Sequence, residues 1–216
     1  MPTPFDQSRY QVRCEWGVAG LARLAPADIT VVVDVLRFST TVTDAVARGE
    51  GVPLDASAHA VSINGAHVAA AASGSLVLLG CLRNAAAVAD AVLAEQTRRA
   101  ARTSVAVIAC GELTARDSSE VRFAVEDQLG AGAVIDALAA LGIDHTSPEA
   151  ASACESFRGL QGAVRHLLTA SGSGQELLER GSRDEVLHAA ELNAVSVVPV
   201  LHDGIFEPLF PSLPRG

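Results

Sequence analysis

Residues 29–36 form a β-branched, nearly continuous apolar run, the pattern of a strand covered on both faces. Ser39-Thr40-Thr41 and an amphipathic stretch to Arg48 follow it, which predicts a strand, loop and helix unit. The same alternation predicts a strand over 76–80 with a helix over 84–102, then a strand over 104–109 with a helix over 124–141. Upstream, residues 10–15 alternate like an edge strand, and 17–24 read as a short helix before a turn at Pro26-Ala27-Asp28. Downstream come a long helical region over 148–168, a turn at Ser171-Gly172-Ser173-Gly174, more helix to Glu191 and a final strand over 195–200. Residues 53–64 carry only weak patterning. The expected fold is a three-layer α/β/α arrangement on a mainly parallel or mixed sheet, in two closely joined lobes over 1–75 and 76–216.

Composition narrows the function classes. The 216 residues are long enough for a full core, and 49% hydrophobic against 19% charged residues is globular composition. No apolar run approaches the ~20 residues of a membrane span and no signal-peptide pattern opens the chain, so a cytoplasmic location is expected. The net charge of −9 argues against nucleic acid or an anionic membrane as partner. All 16 cationic residues are Arg, which excludes Schiff-base catalysis and a lysine-dependent phosphate loop. Cys14, Cys81, Cys110 and Cys154 lack paired spacing and are expected to be free thiols.

Ligands of parallel sheets bind beyond the carboxyl ends of the strands, so the loops that follow the strands are the candidates. Asp34-Val35-Leu36-Arg37-Phe38-Ser39-Thr40-Thr41 places a carboxylate at a strand end, Arg37 three residues on, and the Ser39 and Thr40 hydroxyls at a helix start where an anion could sit. An Asp34–Arg37 ion pair with Ser39 as helix cap accounts for the same residues without a ligand. Ser62-Ile63-Asn64-Gly65 reads as a turn exposing backbone amides, and Cys81-Leu82-Arg83-Asn84 follows a strand. Asn64, Gly65, Arg83 and Asn84 suit phosphate or carboxylate oxygens, although turn chemistry and capping by Asn84 explain them equally. Glu126 and Asp127 open a helix, with Gly130 one turn from Glu126, so a ligand or a strand can approach a bare backbone there. A hard cation fits those acids, and so does simple complementarity to the helix dipole.

Taken in order, Val32-Val33-Asp34-Val35-Leu36-Arg37, Ser62-Ile63-Asn64-Gly65, Gly80-Cys81-Leu82-Arg83-Asn84-Ala85 and Glu126-Asp127-Gln128-Leu129-Gly130-Ala131-Gly132 resemble the 2-phosphosulfolactate phosphatase family. The resemblance runs over about residues 32–200. It implies a Mg²⁺-dependent hydrolase that releases phosphate from 2-phosphosulfolactate to leave sulfolactate, a step in coenzyme M synthesis. It also implies a small phosphorylated or sulfonated acid as the partner, with a homodimer allowed. Asp34, Glu126 and Asp127 become the candidate catalytic acids and metal ligands, with Arg37 and Arg83 clamping phosphate and sulfonate oxygens. Two departures stand out. The family's Gly-Glu-Arg and Asn-Ser-Pro motifs are missing ahead of Asn64, and Ala66 stands where Thr is usual.

Two other readings stay open. Cys110 and Arg116 have the C-x5-R spacing of cysteine phosphatases, although Glu112 would put a negative charge inside that phosphate loop. A non-catalytic anion-binding member would use Arg37, Arg83 and helix termini alone. A haloacid-type aspartyl phosphatase fails, because Leu36 stands where its second acid would be.

Overall fold

The structure is a computed structural model, and it describes residues 3–55, 63–72, 74–114 and 120–209. The strands are β1 (Val12–Trp16), β2 (Ile29–Val33), β3 (Val52–Pro53), β4 (Leu76–Gly80), β5 (Val105–Ala109), β6 (Glu112–Leu113), β7 (Val121–Arg122), β8 (Pro199–His202) and β9 (Ile205–Pro208). The helices are α1 (Gly17–Arg23), α2 (Phe38–Ala47), α3 (Ile63–Ala71), α4 (Ala85–Arg99), α5 (Val125–Ala140), α6 (Pro148–Leu160), α7 (Val164–Ala170), α8 (Gly172–Glu179) and α9 (Arg183–Ala189).

Seven strands form one mixed sheet in the order β1-β5-β2-β4-β8-β9-β3. The first four are parallel, and β8, β9 and β3 continue the sheet antiparallel. The β-branched runs form the buried centre, as their lack of a polar face requires. Ile29, Val31 and Val33 of β2, with Val105, Val107 and Ala109 of β5, face a core shared with α4 to α9. Val32, Ala106 and Ile108 face the opposite core, closed by Phe38, Val42 and Val46 of α2 and by α3. The three layers expected from the sequence are thus present. Each fully buried Val, Leu or Ile contributes about 1.5–3 kcal/mol to holding them together.

Residues on both sides of position 75 contribute strands to this sheet, and β5 lies between β1 and β2. Three local expectations are corrected. The final strand begins at Pro199 rather than 195 and is one arm of a hairpin with β9, turned by Asp203-Gly204, both at positive φ (48° and 79°). Ser171-Gly172-Ser173-Gly174 is the capped start of α8 and not an open turn, since Ser171 Oγ accepts from Gly174 N at 3.1 Å. Asn64-Gly65 lies in the first turn of α3 and not in a turn between elements, while Ser62 falls outside the described residues. Among the described residues no helix is long and apolar enough to cross a membrane.

Candidate active site

Successive connections from β2 lead to β4 on one side and then to β5 on the other, so the carboxyl ends of these three strands meet where the strand order reverses. Asp34 is the residue after β2 and is buried. Its Oδ1 accepts from Phe38 N at 3.1 Å and its Oδ2 from Gly65 N at 3.0 Å. A Cβ on Gly65 would come within 2.7 Å of Asp34 Oδ2 and 2.6 Å of Phe38 Cβ, so glycine is what lets α3 reach this carboxylate. Ser39 Oγ donates to Val32 O and accepts from Asp34 N, both at 3.0 Å, and Thr40 Oγ1 donates to Val35 O at 2.8 Å. Both hydroxyls are engaged by the turn's own backbone.

Asp127, in the first turn of α5, ties two strand-end loops together. Its Oδ1 accepts from Val35 N at 2.7 Å, beyond β2, and its Oδ2 from Gly111 N at 2.9 Å, beyond β5. Burial, followed by the charges of Asp34 and Glu126, pushes the Asp127 carboxyl well above the ordinary carboxylate range against those two hydrogen bonds. Glu126 is 2% exposed, and its Oε2 has no hydrogen-bond partner. The bare backbone at Gly130 receives a strand and not a ligand: a Cβ there would meet Val35 Cγ2 at 2.5 Å and Val33 Cγ1 at 2.8 Å. Asp34 and Asp127 therefore lie close together, buried, at the end of β2, with buried Glu126 next to Asp127 on α5. Among the described residues, no three His, Cys, Asp or Glu side chains are already disposed around one point as a metal shell.

The remaining candidates are dispersed. Arg37 is 41% exposed and pairs with Glu185 of α9 at 2.9 Å. It lines a cleft of about 400 Å³ between α2 and α9, together with Thr40, Thr41, Asp44, Arg48 and His188. Arg83 is buried, and its guanidinium is taken up by Asp44 of α2 at 3.2 Å, by His188 O at 3.1 Å and by Glu191. Asn84 Oδ1 accepts from Cys81 N at 2.9 Å while Nδ2 donates to Leu79 O and Val197 O, both at 3.1 Å, so the amide is fully occupied in joining loops. Asn64 is half-buried next to Gly65.

The thiol alternative fails on burial. Cys110 is 1% exposed, and burial, then Asp34 and Asp127, hold its thiol well above the ordinary value, which denies it the thiolate form. Its partner Arg116 lies outside the described residues. All four cysteines are buried and free, as their spacing implied.

One acid that the sequence had entered only as an objection to that thiol lies within electrostatic reach of Asp34. Glu112 follows Gly111 beyond β5, is half-buried, and accepts from Ser173 Oγ at 3.3 Å. The available signal was its place two residues past a buried Cys at a strand end.

A family model described as 2-phosphosulpholactate phosphatase matches residues 55–204. That match takes in Arg83, Glu112, Glu126 and Asp127 and begins after Asp34 and Arg37. A protein of Symbiobacterium thermophilum named "Probable 2-phosphosulfolactate phosphatase" is 32% identical over 137 residues, covering 62% of this chain and 52% of that protein. The chain therefore spans about half the length of that relative.

Proposed function

Because the chain belongs to the 2-phosphosulpholactate phosphatase family, we propose that it hydrolyses the phosphate monoester of a small acid, 2-phosphosulfolactate or a related phosphorylated hydroxy acid, with Mg²⁺. One observation carries this reading. Buried Asp34 and Asp127 lie close together at the end of β2 with buried Glu126 next to Asp127, the Glu126 Oε2 atom has no hydrogen-bond partner among the described residues, and burial and the two neighbouring acids are the largest influences on Asp127. Buried charge of one sign calls for a proton or a cation. An all-oxygen donor set suits a hard cation, and Mg²⁺ keeps several waters beside one or two carboxylates, so a ready-made shell of three is not required.

Asp34, Glu126 and Asp127 would hold the ion. Bound there, Mg²⁺ would neutralise phosphate oxygens and act as a Lewis acid at phosphorus. The chain's own groups set the frame around it. Asp127 fixes the ends of β2 and β5 by holding Val35 N and Gly111 N, and Asp34 fixes α2 and α3 by holding Phe38 N and Gly65 N. Among the described residues, Arg37 is a cation able to meet substrate: its partner Glu185 is 50% exposed, and an ion pair of that kind contributes about 0–1 kcal/mol, which an anionic ligand outcompetes. Arg83 is enclosed by two acids and a carbonyl and acts as a tie between α2 and the segment after α9.

The test is phosphate release by the purified chain from 2-phosphosulfolactate and 2-phospholactate. Release with Mg²⁺, its loss in EDTA and its return with added Mg²⁺ are expected. No release from either ester with any divalent ion, together with a melting temperature raised by the ester, would overturn hydrolysis in favour of anion binding without turnover.

A further inference from the structure

Hydrolysis of an aliphatic phosphate ester needs more than an electrophilic phosphorus. The leaving alkoxide is a strong base, and a proton delivered to it as the P–O bond breaks accelerates the step. Asp34 and Asp127 are poorly placed to deliver one: burial raises Asp127 as well, but both oxygens of each carboxyl are already held by backbone N–H groups, which fixes their orientation within the protein.

Glu112 differs from them in each respect. It stands three residues beyond Ala109 of β5, and Ala109 lies opposite Val33, the residue before Asp34. It therefore reaches the same end of the sheet from the neighbouring strand. It is half-buried, so one side packs on the protein while the other is open to solvent. Among the described residues it accepts a hydroxyl hydrogen bond from Ser173 of α8 at 3.3 Å. Among the described residues, the charged groups that act on it are Asp34 beyond β2, Glu176 of α8 and Arg122 of β7. Burial, with the two acids adding to it, raises its carboxyl against Ser173 and Arg122, which favours a carboxyl that keeps its proton.

We propose that Glu112 is the general acid of this site, protonating the bridging ester oxygen of an aliphatic phosphate as phosphate departs. This assignment rests on the phosphomonoesterase reading above. In the step, the oxygen of a water forms a new P–O bond and the bridging P–O bond breaks. The Glu112 proton goes to the departing oxygen, which becomes the hydroxyl of the product acid. The proton lost by the attacking water returns to Glu112 through solvent, so ester and water give hydroxy acid and phosphate with no net change in the carboxyl.

The experiment compares two substrates of one shape: 2-phospholactate, and its analogue with sulfur in the bridging position, whose thiolate leaves without a proton. Glu112→Gln keeps the size and the Ser173 contact but removes the acid. It is expected to lower kcat on the oxygen ester about 10²- to 10⁴-fold and on the sulfur ester less than about five-fold. Equal losses on both esters would mean a structural role, and no loss on either would mean no role; each result overturns the assignment. If Glu112→Gln does not fold, Glu112→Asp is read by the same ratio, with a selective loss on the oxygen ester expected and a uniform one decisive against. The wild-type measurement separates the two levels. Wild type inactive on both esters overturns the phosphatase reading itself, whereas active wild type with a uniform loss in the variant overturns Glu112 alone.

Discussion

The strands β2 and β5 carry carboxylates at both ends and treat them in opposite ways. At the amino end, Asp28 accepts from Ser104 N and Ser104 Oγ, both at 2.7 Å, and from the Arg99 guanidinium. Burial pushes its carboxyl up, but these donors outweigh it and hold it below the ordinary value. At the carboxyl end, Asp34 and Asp127 lie close together, each accepting from two backbone amides, and Asp127, with Glu126 beside it, is pushed well up. Arg83 supplies a third case near that same end, a buried guanidinium balanced by Asp44 and Glu191. Balanced charge ties elements together; unbalanced charge is kept where a ligand completes it.

The most severe test of that contrast is Glu126→Gln. Removing one acid from the cation site is expected to lower turnover about 10³-fold, roughly 4 kcal/mol of barrier, while the EDTA-treated protein keeps its stability or gains up to about 1 kcal/mol. Thermal melts sharpen it. Mg²⁺ at about 100 times its Kd should stabilise the wild type by about 2.7 kcal/mol and the variant by far less. Equal indifference of both proteins to Mg²⁺ would mean that the acid cluster holds protons and no metal.

Arg83→Met comes next and should behave in the reverse manner. It leaves Asp44 and Glu191 without their guanidinium, and breaking such a pair from one side costs about 3 kcal/mol, read in urea unfolding. A cost under about 1 kcal/mol joined to a large rise in KM would instead make Arg83 a substrate clamp, as the sequence resemblance had implied.

Gly130→Ala probes how α5 brings its acids to β2. The added methyl meets Val35 Cγ2 at 2.5 Å and Val33 Cγ1 at 2.8 Å. Overpacking of this kind costs about 1–3 kcal/mol, and the better helix propensity of Ala returns about 1 kcal/mol. A net loss of about 1–2 kcal/mol is expected in the same unfolding assay, with a fall in turnover as Glu126 and Asp127 shift.

These cases also mark what was readable in the chain. The parallel strands were legible because 29–36, 76–80 and 104–109 have no polar face to turn outward, and the strand-end loops were legible as candidates because ligands of parallel sheets bind there, whereas Asp34, Glu126 and Asp127 were singled out as a set by the family resemblance. The β8–β9 hairpin was hidden by Pro199 and Pro208, which weaken a strand reading, although Asp203-Gly204 was a usable turn signal. Asn64-Gly65 looked like a turn for a local reason, whereas Gly65 is in a helix so that its amide can meet Asp34, 31 residues away in sequence. The partners of Arg83 are 39, 105 and 108 residues distant, and no local pattern announces a side-chain network of that span. Glu112 was weighed only as a charge beside the Cys110 thiol, because the contact with Ser173, 61 residues away, has no local sequence signal.

The smallest effect concerns the balanced amino end. Asp28 has a folded-state value below its unfolded one, near 3.9, so its contribution is complete above about pH 5 and is lost as pH falls through the folded value. Its side chain is 28% exposed, which limits the contribution to a few tenths to about 1 kcal/mol. Asp28→Asn cannot titrate. The difference in unfolding free energy between wild type and variant should therefore stay constant from about pH 7 to 5 and shrink below about pH 4. A difference that grew on acidification would require a raised Asp28, and the two ends of β2 would then handle their carboxylates alike.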